Sequence, residues 1–328
     1  MSMVVVLLLL LPCALLCLFS CAAAQLTPDF YDKSCPTLIP TVRAVLQKAI
    51  AKEPRIAASL LRLHFHDCFV NGCDASLLLD DTPSFTGEKG AVPNNRSARG
   101  FRVVDRAKFA VEKSCPGVVS CADILAILAR ESVVLLDGPS WAVQLGRRDS
   151  TTANRSAANN EIPPPNSTLA NLLSKFQAKG LNAQELVALS GSHTIGLSRC
   201  VSFRDRLYNF SGSGRPDSTL QPHFWEDLRA KCPRFHGNNV VAPLDAHTPL
   251  HFDNLYYHNL HASVGLLNSD QVLYSTSGPN STRAIVTRYR DDQGAFFADF
   301  ASAMVKMGNI SPLTGTSGQI RKKCRRVN

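Results

Sequence analysis

Apolar residues recur at i, i+3 and i+4 along most of this chain, the period of amphipathic α-helices. TLIPTVRAVLQKAIAKE (37–53), FRVVDRAKFAVEK (101–113), VSCADILAILARESVVLL (119–136) and TLANLLSKFQAK (168–179) all carry it. A further amphipathic helix is predicted over DDQGAFFADFASAMVKMGN (291–309), stopped near Gly308. Asn182 and Glu185 stand before LVALS at the spacing of a capping box, with Asn182 as N-cap. Pro54 opens another helix in the first-turn position proline favours. Strand-like runs such as WAVQL (141–145) are few and short, so the fold class is mainly α. One segment interrupts the pattern: ANNEIPPPNS (158–167) holds three consecutive prolines, which a helix interior excludes. It reads as an extended surface loop between an N-terminal and a C-terminal half. No internal repeat occurs.

The first 24 residues are apolar, end in Ala22-Ala23-Ala24, and precede the first charge at Asp29. They fit a secretory signal cut before Gln25, whose new amino terminus would cyclise to pyroglutamate. The run is nearly long enough to span a bilayer, but it lacks the basic flank that would hold an anchor in place. Secretion changes the meaning of the cysteines. Of eleven, Cys13, Cys17 and Cys21 belong to the leader, and eight remain: Cys35, Cys68, Cys73, Cys115, Cys121, Cys200, Cys232 and Cys324. An even number in a secreted chain points to four disulfides, with the partners open among about 105 pairings. No CxxC pair offers a zinc site. Six N-x-S/T sequons, at Asn95, Asn154, Asn166, Asn209, Asn280 and Asn309, agree with the secretory route, although Pro312 makes the last a poor acceptor.

The formal net charge is +9, with Lys and Arg scattered except in Arg321-Lys322-Lys323-Cys324-Arg325-Arg326. A basic secreted surface suits acidic wall polysaccharide, or serves solubility alone. No nucleic-acid motif accompanies the charge. Residues 25–328 are enough for one large domain or two lobes.

The densest chemistry is RLHFHDCFVNGCDAS (62–76). If the helix opened by Pro54 runs through His66, Arg62 and His66 share one face at i and i+4 while His64 falls on another. A cation beside an imidazole lowers the histidine pKa and keeps it neutral, as a general base requires. From Asp67 onward, Asp67, Val70, Gly72, Asp74 and Ser76 offer carboxylate, carbonyl and hydroxyl oxygens from a tight segment, a donor set suited to calcium. Pairing of Cys68 with Cys73 would close that loop. The loop is too short for an EF-hand. A second constellation lies in ELVALSGSHTIGLSRC (185–200), where Thr194 follows His193. Asp245, Thr248, the His251 carbonyl and Asp253 could complete a second calcium shell with Thr194, and Asp270 offers a carboxylate behind the ligands. A zinc hydrolase built on His64 and His66 would lack a third ligand and the HExxH helix.

Arg62–Ser76 together with LSGSHTIG (189–196) resembles the secreted plant haem peroxidases of class III. SARGF (97–101), VVSCAD (119–123 with its neighbour Val118), LGRRD (145–149) and GTSGQI (315–320) match as well, and the resemblance covers residues 25–328. It implies a two-lobed helical fold, the distal lobe at about 25–160 and the proximal lobe at about 161–328, with one haem b between them and two Ca2+ ions. His193 would be the axial iron ligand, with Asp270 accepting its other ring N–H. His66 would move the peroxide proton, Arg62 would stabilise charge on the breaking O–O bond, and Asn94 would hold the His66 tautomer. Single electrons would come from two small phenolic donors in turn, with Pro163 at the donor contact. The polar Asn166-Ser167 near that position weakens the expectation for hydrophobic donors.

The resemblance further implies the disulfides Cys35–Cys115, Cys68–Cys73, Cys121–Cys324 and Cys200–Cys232. It implies a distal calcium on Asp67, Val70, Gly72, Asp74 and Ser76, with Glu88 through water. The proximal calcium would use Thr194, Asp245, Thr248, His251 and Asp253. A monomer in the cell wall space, with no membrane attachment after signal cleavage, is expected. A calcium- and glycan-binding wall protein with a degenerate haem pocket is the contrary reading, opposed by the presence of Arg62, His66, Asn94, His193 and Asp270.

Overall fold

The computed structural model describes residues 26–328; the expected leader and Gln25 lie outside them. Four helices make up most of the first part: α1 (Leu38–Lys52), α2 (Ile56–Cys68), α3 (Phe101–Ser114) and α4 (Cys121–Val134). The helix α4 is apolar around nearly its whole circumference and is accordingly buried on all sides, with α1, α2 and α3 packed against it. Its first turn is closed by the Ser120 side chain, which accepts from the Asp123 amide. In α3 the stripe Val103, Val104, Ala107 and Val111 faces inward.

The chain continues through α5 (Arg155–Glu161), α6 (Leu169–Ala178), α7 (Ala183–Ser190), α8 (Arg204–Tyr208) and α9 (Pro222–Lys231). It closes with α10 (Leu255–His261), α11 (Asn268–Ser275), α12 (Arg283–Asp291) and α13 (Gln293–Gly308). The capping box of α7 forms as its spacing predicts, the Asn182 and Glu185 side chains each accepting from the other's backbone N–H. The first residues of α13 are held by the Asp292 side chain, which accepts from the Ala295 amide. Among the described residues, no helix is long and apolar enough to cross a membrane.

Two local expectations change. WAVQL forms no strand; Leu145 only bridges Thr27, while the two strands, β1 (Leu197–Arg199) and β2 (Val241–Pro243), pair antiparallel elsewhere. The segment 158–167 is not extended throughout, because 158–161 finish α5, whose N-cap Asn154 accepts from the Ala157 amide. Extended backbone starts at Ile162, the residue before the first proline, where the ring of its successor disfavours the helical conformation. Ile162 itself is buried.

One hydrophobic cluster joins Val42, Leu46, Leu60, Val104, Ile124 and Leu128 of α1–α4. A second runs across the proline segment, combining Leu61, Phe69 and Val133 with Phe176, Leu186, Tyr257, Phe296 and Met304. A third, smaller one surrounds Cys200 and Cys232. The eight cysteines pair as Cys35–Cys115, Cys68–Cys73, Cys121–Cys324 and Cys200–Cys232. The Cys121–Cys324 bond brings the C-terminal tail back to α4, and the tail is therefore not a free basic run. Arg321 is fully buried, its Nη2 donating to the Ala75 carbonyl at 2.6 Å. Arg325 is paired with Asp105 at 2.7 Å. Only Lys322, Lys323 and Arg326 of that basic cluster stand exposed.

Candidate active site

On α2, Arg62 and His66 stand one turn apart, and the loop before α3 supplies their partners. His66 is buried, and its Nδ1 lies 2.5 Å from Asn94 Oδ1. The Asn94 amide is oriented in turn, since its Nδ2 donates to the Glu88 carbonyl at 3.0 Å. With an oxygen facing it, Nδ1 carries the proton, and Nε2 keeps its lone pair. Burial and, secondarily, the Arg62 charge hold the His66 pKa well below the usual value, against the opposing hydrogen bond that His66 donates to Asn94. The neutral imidazole expected from the Arg62–His66 spacing therefore rests first on burial and only second on Arg62. Arg62 Nη2 donates to the Pro93 carbonyl at 2.9 Å and to Ser97 Oγ at 3.1 Å. Burial and the nearby Arg199 lower the Arg62 pKa to about 10, which leaves it charged at neutral pH.

His193 follows α7 in a short 3-10 turn, Gly191–Thr194. Its Nδ1 lies 2.7 Å from Asp270 Oδ1, in the first turn of α11. Asp270 is buried, and it also accepts from Tyr256 OH at 3.1 Å and from the Leu267 amide at 3.1 Å. The carboxylate is thereby fixed on three sides, and His193 presents Nε2 as its remaining donor atom. No hydrogen bond engages Nε2 of either His66 or His193 among the described residues.

The two oxygen-rich segments also close. Asp67 Oδ2 accepts from the Ala75 amide at 2.9 Å and Asp74 Oδ1 from the Ser76 amide at 2.9 Å. Gly72 has φ +135°, and a Cβ there would stand 2.4 Å from the Ser311 carbonyl oxygen, so only glycine fits this turn. Asp67, Asp74 and Glu88 are buried near one another, and burial pushes all three carboxyls up, Glu88 to about 7. Ser76 Oγ and Glu88 Oε2 are buried without a hydrogen-bond partner. Unsatisfied buried oxygens among crowded carboxylates fit a hard cation. The Val70 carbonyl, by contrast, accepts from Lys179 Nζ at 2.8 Å.

In the second segment, Thr194 Oγ1 reaches Asp245 Oδ2 at 3.2 Å and Asp253 Oδ1 at 3.0 Å. Thr248 Oγ1 is buried and unpartnered. The His251 side chain turns outward to Asp137 at 3.0 Å, leaving only its backbone for an inward role.

Sequence reasoning passed over several neighbours. Asn259 donates to Asp245 Oδ1 at 2.9 Å while its own Oδ1 is a buried orphan. Arg199, on β1, has a buried Nε without a partner, and neither it nor Arg62 pairs with a carboxylate among the described residues. Two adjacent guanidiniums without a counter-ion fit an acidic ligand such as the propionates of haem. The SRC run of 198–200 carried no signal for this, because its meaning depends on β1 approaching α2. His64, on the other face of α2, is buried beside Arg147, and burial lowers its pKa to about 3. It comes together with Cys68 and Cys73, but those sulfurs are bonded to each other and offer no thiolate to zinc.

The proline segment is fastened to the same region. The Ser269 amide donates to the Pro165 carbonyl at 3.0 Å, and Asn268 Nδ2 to the Ser167 carbonyl at 2.9 Å. Pro163 therefore lies on a loop anchored to α11, the helix of Asp270, and is partly exposed.

The Peroxidase family model matches residues 42–292. Peroxidase 49 of Arabidopsis thaliana is 57% identical over 304 residues, spanning 93% of this chain and 91% of that protein. Peroxidase 4 of Vitis vinifera is 56% identical over 309 residues, 94% of this chain and 93% of its own length. Peroxidase 15 of Arabidopsis thaliana shares 55% over 304 residues, 93% of this chain and 89% of its own. With one family spanning most of the chain and these relatives spanning nearly all of it, the chain belongs to the peroxidase family, in its class III plant branch.

Proposed function

We propose that this H2O2-reducing peroxidase binds haem b between His66 and His193 and oxidises small phenolic donors. Haem, when bound, supplies the iron that receives peroxide and the redox capacity drawn on by two donors in turn. The observation that carries the reading is the matched pair of histidines, each with Nδ1 held by an oxygen and Nε2 unengaged. His66 Nε2 takes the proton from the near oxygen of H2O2 and returns it to the departing oxygen, which leaves as water. Asn94 keeps that nitrogen free by accepting at Nδ1. The Arg62 guanidinium faces the charge that develops as the O–O bond opens. His193 Nε2 would hold the iron, and the Asp270 carboxylate raises the basicity of the ring by accepting its N–H. Arg199 and Arg62 would receive the acidic side of the cofactor, and Pro163 would border the donor path.

Two Ca2+ ions complete the proposal, one on Asp67, Val70, Gly72, Asp74 and Ser76 with Glu88 behind them, the other on Thr194, Asp245, Thr248, His251 and Asp253. The buried unpartnered oxygens of Ser76, Glu88 and Thr248 support them. We place the enzyme outside the cell, as a monomer in the wall space. Wall adsorption would rest on scattered surface charge and on Lys322, Lys323 and Arg326, since Arg321 and Arg325 are engaged within the protein.

The test is the visible spectrum and metal content of the purified protein. A Soret band with calcium present is expected; a colourless protein overturns the haem reading. Washing wall material with low and then high salt tests the location: release mainly at high salt is expected, because exposed contacts are screened within about 8 Å at physiological ionic strength.

A further inference from the structure

Three tyrosines stand in unbroken ring contact between the proximal histidine and the outer side of α12. The Tyr256 ring lies edge-on to His193 at 6.3 Å between centroids, and edge-on to Tyr257 at 5.1 Å. Tyr257 meets Tyr289 at 5.2 Å. Packing of α10 against α12 holds the series together, and Phe296 closes its flank, 4.9 Å from Tyr257 and 5.8 Å from Tyr289. The three phenols differ in what accepts their protons. Tyr256 OH donates to Asp270 and Tyr289 OH to Asp299 Oδ2 at 2.8 Å, whereas Tyr257 OH donates to the Val187 carbonyl at 2.9 Å. A tyrosine loses an electron readily only if its proton can leave at the same time. A carboxylate takes that proton and a peptide carbonyl does not. Tyr257 is accordingly a bridge, and the two ends, Tyr256 and Tyr289, are places where oxidation can rest, with Tyr289 the outer one. Asp299 is partly exposed, at 22%, and is also held by the exposed Arg288 at 2.9 Å. The Tyr289 ring is itself buried, so it lies just beneath the surface that a donor would meet.

We propose that Tyr256, Tyr257 and Tyr289 conduct oxidation from the haem site to Asp299, where phenolic donors too bulky for the haem pocket are oxidised. The inference rests on the proposed haem site. In the outward step the Tyr289 O–H bond breaks. Its electron passes inward through Tyr257 and Tyr256 to satisfy one of the two oxidising equivalents left by H2O2, and its proton moves to Asp299 Oδ2. A bulky phenol at the surface then returns one electron, Asp299 gives the proton back to Tyr289, and the donor's own proton goes to solvent. Burial keeps the outer phenol protonated beforehand, Tyr289 being pushed well above the ordinary tyrosine range.

The experiment uses the full haem-loaded enzyme, Tyr289→Phe and Asp299→Asn. Each is mixed with H2O2 without donor and frozen for electron paramagnetic resonance. Each is also assayed on a free phenol and on the same phenol tethered to a long polyethylene glycol chain. The parent should show a tyrosyl signal with a Tyr289 component that both variants lose. Both should oxidise the tethered phenol several-fold more slowly while keeping the parent rate on the free phenol. Asp299→Asn leaves the ring stack whole, so a matched melting temperature separates loss of the proton acceptor from loss of fold. A tyrosyl signal in Tyr289→Phe identical in shape and yield to the parent's overturns the proposal, as does an equal loss on both donors. A parent without a Soret band removes the haem reading and the relay together, whereas a Soret-bearing parent active on free phenol but lacking the Tyr289-dependent signal removes the relay alone.

Discussion

His66 and His193 hold their rings the same way and are suited to opposite tasks. Both have Nδ1 against an oxygen, but the oxygen is a neutral amide for His66 and a carboxylate for His193. A neutral partner fixes the tautomer without adding much basicity. Together with burial and Arg62 it leaves an imidazole that is uncharged and ready to take a proton. An anionic partner pushes electron density through the ring, which suits a nitrogen that must bind metal. The class of the partner, set by residues far away in the chain, is what would distinguish the proposed base from the proposed ligand.

The largest effect should come from deleting the proposed distal base. His66→Leu should keep the Soret band but slow H2O2 reduction by at least roughly 10² to 10⁴-fold, because both proposed proton transfers would pass through Nε2. Stopped-flow mixing with H2O2 measures it, and a near-parental rate would place the base elsewhere. Arg62→Leu should follow, with a loss of about 10²- to 10³-fold, the range for one lost charge-stabilising donor. The same measurement checks it.

Removing calcium should separate the two halves of the comparison by stability. Without an ion, Asp67, Asp74 and Glu88 crowd together, and Glu88 titrates at about 7 in the folded chain against 4.5 for an ordinary glutamate. The folded state then binds that proton more tightly than the unfolded state. Its stabilising contribution is present at low pH and is lost as pH rises through about 7, on the order of 3 kcal/mol for Glu88. Chelated protein should therefore melt lower at pH 8 than at pH 5, relative to the calcium-loaded protein. Equal shifts at both pH values would argue against an ion at these carboxylates.

Asn94→Asp makes the distal partner resemble the proximal one. The added charge should raise the His66 pKa and move the acid limb of kcat/KM upward by about one to three pH units. An unmoved limb would show that the class of partner is not what sets basicity. The smallest effect on the reaction is expected from His64→Leu, since His64 faces Arg147 and the Cys68–Cys73 bond, away from the distal pair. Its H2O2 rate should stay close to parental.

Much of this site was legible before any fold was known, and the reason differs by residue. Arg62 and His66 could be placed on one face because a helix turn relates them over four positions. The capping box at Asn182 and Glu185 is equally local. The loop 158–167 was misread because prolines dominate its composition, while the Asn154 cap that starts a helix just ahead of them is a quieter signal. Arg321 and Arg325 looked like a solvated basic tail, yet the Cys121–Cys324 bond draws them against Ala75, Asp149 and Asp105. Arg199 and Asn259 showed nothing until β1 and α10 were in position.

By itself the sequence determined the helical class, the approximate bounds of several helices, and the residue types that the proposed base, ligand and oxygen-rich loops would use. These follow from apolar periodicity, capping and short spacings, all of which act within a turn or two of chain. Only the tertiary structure decided which oxygen meets which histidine, across 28 residues for His66 and Asn94 and 77 for His193 and Asp270. It also decided which charges are solvated and that burial outweighs Arg62 in keeping His66 neutral. Desolvation and hydrogen-bond geometry depend on every element packed around a group, and no local window of sequence contains that sum.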